Sequence, residues 1–194
     1  MGKWSFTAQD IMDRAIYTVW DMQQANSALA ILQEDREFGK SYKKKDMRRF
    51  QCYETQAIVA FCRPLAAKAF PEIGHVFDDE DLCLKEKVFY LRNKKFAHSD
   101  QEEMHFKSRW INVSIEDEEP CFFPTFVYDE ALDLTEKECD RLMGLCGSII
   151  SSCYEYIFRE SRRDPSLIKH YKFPDSWKDD PRFSGFVENP DNKK

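Results

Sequence analysis

The sequence predicts a mainly α fold of four to five helices, with one small β-hairpin inserted before the last long helix. Three observations lead there. Apolar residues recur every three or four positions through four separate segments, the spacing that lines one face of a helix. Two of those segments open with a threonine followed three residues later by an acid, the pattern of a reciprocal helix cap. Between residues 101 and 134 the period falls to two, as in a half-buried strand pair.

The first helix starts at Thr7 and Asp10, with Phe6 and Ile11 placed as a hydrophobic staple. Its stripe is Ile11, Ala15, Val19, Met22, Ala25 and Leu29, and it fades before Gly39. The basic stretch KSYKKKDMRR, residues 40–49, reads as a connection, and Asp46 as the cap of a second helix. That helix carries Phe50, Ala57, Ile58 and Phe61, with a continuation kinked at Pro64 and ended by Pro71. The acids of residues 78–81 suit the positive start of a third helix, whose buried face is Leu84, Val88 and Leu91. In the insert, Trp110, Asn112 and Ser114 alternate with Ile111, Val113 and Ile115, and the acidic EDEEP turns the chain toward an aromatic second strand. Thr135 and Glu138 then begin the last helix, through Leu142, Leu145, Ile149 and Cys153 to about Arg163. The domain organisation expected is a helical domain over 1–163, with its insert at about 101–134, and a C-terminal tail over 164–194. That tail holds Trp177, Phe183 and Phe186 without helical period and is expected to be partly packed or disordered.

Composition narrows the function classes. The chain has 194 residues, 42% hydrophobic and 33% charged, and no apolar run near the roughly 18 residues of a membrane span, so a cytoplasmic protein without a membrane partner is expected. Seven cysteines with no CxxC pair encode neither a disulfide framework nor a zinc knuckle, and Cys139, Cys146 and Cys153, seven residues apart, read as a packing seam. His75, His105 and His170 lack ligand spacing, so no metal site is expected, and neither a phosphate-binding glycine loop nor a GxSxG elbow is present. The formal charge of -6 argues against general adhesion to polyanions. A local basic groove is still possible, with Lys43, Lys44, Lys45, Arg48, Lys94 and Lys95 as its candidate nucleic-acid contacts; solvated helix-end charge is the plainer account of the same residues.

The stretch LRNKKFAHSD, residues 91–100, carries the chemistry. Arg92 and His98 are six residues apart, roughly 120° around a regular helix and about 9 Å along it, so they do not share one stripe. A helix ending near Ala97, or two copies meeting across a two-fold axis, could still gather them in one cleft. Histidine can move protons near neutrality and a guanidinium can steady a phosphorane, which suits attack of an RNA 2′-hydroxyl on the neighbouring phosphate. Asn93 could orient either group. Spacing alone leaves open a helix C-terminus in which Lys94, Lys95 and His98 complement the dipole.

With RNKKFAH, the sequence resembles the HEPN superfamily (higher eukaryotes and prokaryotes nucleotide-binding domains). Its ribonuclease members carry an arginine, usually a following polar residue, and a histidine after four to six residues. The longer phrase is similar to the abortive-infection branch, where such a motif precedes a strand-containing insert and a last helix. The resemblance implies an up-and-down helical bundle, a homodimer pairing the motif helices, and metal-independent, cofactor-free endoribonuclease activity in toxin or phage-defence systems. RNA would be the substrate, a cognate antitoxin or regulatory protein a further partner, and Arg92, Asn93 and His98 the catalytic residues. One departure is Asp100, where a branch silenced by adenylylation has tyrosine two residues after the histidine. Two other readings stay open: a non-catalytic HEPN-like module binding a nucleotide or protein, and an unrelated helical protein.

Overall fold

The computed structural model describes residues 5–96, 107–113, 121–127 and 131–171. Among them are four long helices, α1 (Ala8–Asp35), α2 (Lys44–Leu65), α3 (Asp79–Leu91) and α4 (Glu136–Arg163), and two strands, β1 (Lys107–Val113) and β2 (Cys121–Val127). The protein is thus a mainly helical bundle carrying one hairpin between α3 and α4.

Three of the four helix starts are reciprocal caps. Thr7 with Asp10, Asp78 with Asp81 and Thr135 with Glu138 each exchange side-chain and backbone hydrogen bonds, which satisfies N–H groups that the first turn leaves without helical partners. At α2 the expectation needs correcting. Its N-cap is Lys43, which makes no side-chain cap, and Asp46 lies inside the first turn. The basic stretch is therefore only half connection, because Lys44 onward is already helical. Nor does a kinked helix continue past Pro64. Pro64 has no N–H to give the carbonyl of Ala60, and α2 stops one residue later, at Leu65. Pro71 instead sits in a short 3-10 turn, Phe70–Ile73, closed by Gly74 at φ 83°, a left-handed conformation that favours glycine.

The apolar stripes meet in one core. Val19, Met22 and Leu29 of α1, Phe50, Ile58 and Phe61 of α2, Leu84, Val88 and Leu91 of α3, and Leu142, Ile149 and Cys153 of α4 are all buried there. Asp21 pairs with Arg63 at 2.6 Å and Asp35 with Arg49 at 3.4 Å, so numbers rise on α1 as they fall on α2 and the two run antiparallel. Arg141 reaches Asp81 at 2.9 Å and Glu138 reaches Lys87 at 2.6 Å, which sets α3 antiparallel to α4 in the same way. Cys139, Cys146 and Cys153 are fully buried, and burial pushes each thiol up to about 12.

The strands pair antiparallel, Lys107 opposite Val127 through Val113 opposite Cys121. Pro124, opposite Trp110, has no N–H for the ladder, which a two-stranded ribbon tolerates on its outer edge. Ile111 and Phe122 are both exposed. The expected turn, EDEEP, lies outside the described residues. After α4 the chain forms a 3-10 helix, Pro165–Tyr171, with Leu167 buried, so the tail is packed at its start. No helix among the described residues is long and apolar enough to cross a membrane.

Candidate functional site

The motif begins where α3 changes its winding. Regular α-helix stops at Leu91, and Arg92–Phe96 form a π-helical turn. Single π turns place an extra residue in the helix and occur often at functional positions. The wider winding also removes the premise of the 120° estimate, since about 100° per residue holds only for a regular α-helix. His98 itself, with Asp100 and His105, lies outside the described residues.

Arg92 is half-buried and Asn93 exposed. The guanidinium Nη1 donates to Asn93 Oδ1 at 2.8 Å, so the polar residue after the arginine holds it in one orientation. No carboxylate among the described residues forms an ion pair with Arg92.

Lys94 is exposed, whereas Lys95 turns inward. Its side chain is only 9% exposed and its Nζ lies 2.6 Å from Asp133 Oδ2, in the segment that leads into α4. That segment is fastened in turn to α2. The backbone N–H of Asp133 donates to Glu54 at 2.9 and 3.1 Å, and that of Leu134 donates to Glu54 Oε1 at 2.8 Å. Glu54 is 1% exposed, and burial raises its carboxyl from 4.5 to about 7, against the opposing pull of those two N–H groups and of Lys95. A carboxyl poised near neutrality can serve as an acid or base, yet here both oxygens face backbone donors, so its proton is coupled to the 133–134 segment. Beside this chain lies a cleft of about 520 Å³ whose walls include Arg48, Gln51, Thr55, Gln56 and Phe96.

The expected contacts therefore separate. Lys43, Lys44, Lys45 and Arg48 are exposed at the start of α2, with Arg48 on the cleft, and Lys94 is exposed on the motif turn. Lys95 is engaged internally. His75 packs edge-on against Phe77 and shares a 2.8 Å hydrogen bond between its Nδ1 and Ser152 Oγ, while burial lowers its pKa. It ties the connection before α3 to α4.

Sequence reasoning missed Glu54 and Asp133. A signal existed for the first: Glu54 falls between Phe50 and Ala57, Phe61 at helical spacing, a charge on an otherwise apolar face. Asp133 carried none, because its role depends on chain segments 38 and 79 residues away. Compared with known proteins, the chain matches no family model, and no curated protein or solved structure is significantly similar to it.

Proposed function

We propose that this protein is a metal-independent endoribonuclease of the toxin or abortive-infection type. RNA is cut by attack of a 2′-hydroxyl on the adjacent phosphorus. His98 moves the protons, taking one from the attacking hydroxyl or giving one to the leaving 5′-oxygen, and Arg92 stabilises the negative phosphorane. The products are a 2′,3′-cyclic phosphate and a 5′-hydroxyl end. Two copies related by a two-fold axis through α3 form the site, and the bundle is the HEPN type that RNKKFAH resembles.

The observation that supports this reading is the pairing of Arg92 with Asn93. A guanidinium oriented by a neutral amide keeps its full charge for an incoming phosphate, whereas one paired with a carboxylate has spent it. The π-helical turn that carries both residues adds to that support.

The test is cleavage of a single-stranded RNA by the purified protein with and without EDTA. Cleavage that survives EDTA, falls roughly 10²-fold or more in His98→Ala and Arg92→Ala, and is little restored in Arg92→Lys is the expected result. Equal cleavage by wild type and His98→Ala assigns the activity elsewhere. A dimer that cuts nothing, with both variants losing nucleotide or protein binding, makes the chain a non-catalytic module.

A further inference from the structure

We propose that Lys95, Asp133 and Glu54 are positioning residues: a polar chain running from the bundle core to the motif turn, which fixes where Arg92 and Asn93 stand. What the turn does rests on the ribonuclease reading. How it is held rests on the geometry alone.

The chain is anchored at its inner end. Glu54 lies on the buried face of α2 between Phe50 and Ala57, Ile58, and its carboxylate receives the N–H groups of Asp133 and Leu134. The next residue, Thr135, begins the reciprocal cap of α4, so the backbone around Asp133 is pinned from both sides. At its outer end Asp133 grips Lys95, three residues beyond Arg92 on the same π-helical turn. A second grip lies before the arginine, where Lys87 meets Glu138 at 2.6 Å. Arg92 thus stands between two lysines of its own chain, both held by the first residues of α4 and the segment leading into it.

Stability does not explain this arrangement. Withdrawing a lysine, an aspartate and a glutamate from water is expensive, and well-packed apolar residues of similar volume commonly serve as well or better. What a fully satisfied polar chain adds is a single allowed geometry. A phosphorane-stabilising guanidinium needs that, since misplacement by about 1 Å can reduce a rate on the order of 10²-fold.

The experiment uses the full-length chain and compares wild type with Lys95→Met, Asp133→Asn, their combination, and Lys95→Arg. Two quantities are read: kcat and KM on a single-stranded RNA oligonucleotide, and hydrogen exchange of the backbone amides of residues 92–96. Lys95→Met and Asp133→Asn are expected to lower kcat about 10- to 100-fold with KM little changed. Exchange at 92–96 should quicken while α1 keeps its protection. The combined variant should be no worse than either single one, and Lys95→Arg should recover most of the loss. If Lys95→Met does not fold, Lys95→Gln carries the same test. Unchanged kcat and unchanged exchange overturn the proposal. If wild type cuts no RNA, exchange alone decides: faster exchange at 92–96 keeps the positioning chain and removes the ribonuclease reading, and unchanged exchange removes the chain.

Discussion

Replacing Glu54 by glutamine should stabilise the protein at alkaline pH and leave it nearly unaffected in mild acid. The carboxyl is 1% exposed, and burial carries its pKa from 4.5 to about 7. Between those values the folded protein keeps a proton that the unfolded chain has lost, so the folded state binds more protons and stability falls as pH rises. The loss is absent below pH 4.5 and complete above pH 7. At about 1.4 kcal/mol per pH unit it amounts to about 3 kcal/mol. Glutamine is close in shape, and its carbonyl oxygen can still accept from Asp133 and Leu134. Urea denaturation of wild type and Glu54→Gln at pH 5 and pH 8 isolates the effect, because every other titrating group is common to both proteins and cancels in the difference. Relative to wild type, the variant should gain about 2 to 3 kcal/mol between the two pH values. A difference that stays constant would refute the assignment of Glu54 as a buried carboxyl that ionises only near neutrality.

Other outcomes follow from burial and backbone. Native protein treated with iodoacetamide should be modified at the exposed Cys52 and Cys83 well before Cys62, Cys139, Cys146 and Cys153, whose thiols burial holds near 12; peptide mass spectrometry gives the order. Gly74→Ala should cost about 1 to 2 kcal/mol in thermal or urea unfolding, since φ 83° is strained for a residue with a Cβ even though nothing lies within 4 Å of that position. On the ribonuclease reading, changing Lys43, Lys44 and Lys45 together to glutamine should weaken RNA binding and flatten its dependence on salt.

The long helices were legible because their signals are local. Thr7 with Asp10 and Thr135 with Glu138 fix two starts within four residues of chain, and a stripe such as Leu142, Leu145, Ile149, Cys153 fixes a buried face without knowledge of what covers it. Failures came where a local rule was applied too strictly. Asp46 is a good capping residue by type, yet the N-cap of α2 falls three residues earlier, at Lys43. A kink at Pro64 requires helix beyond it, but α2 stops one residue later, at Leu65. For the candidate site, the motif proposes Arg92 and Asn93, but the π-helical winding that carries them was not legible, since nothing in RNKKF distinguishes it from ordinary helix. The Lys95–Asp133–Glu54 chain joins three distant segments and exists only once the bundle has formed.

At the start of α2 the sequence opposes its own local structure. Three helix starts among the described residues have an acid and a reciprocal cap; α2 has lysine at its N-cap, no side-chain cap hydrogen bond, and Lys44 and Lys45 in the turn that carries the positive end of the helix dipole. Each cation so placed is unfavourable by about 0.3 to 1 kcal/mol, and Asp46 is the one acid in that turn to offset them. A sequence selected for stability alone has little reason to keep three lysines there. On the ribonuclease reading RNA phosphates supply one, because they would meet the ammonium groups at the positive end of the helix dipole. The lysine-to-glutamine triple variant should therefore shift two measurements in opposite directions: weaker RNA binding, and unfolding stability raised on the order of 1 kcal/mol at low salt. A variant that is less stable and binds RNA as tightly as wild type would show that these lysines serve the fold, and the α2 start would drop out of the proposed RNA path.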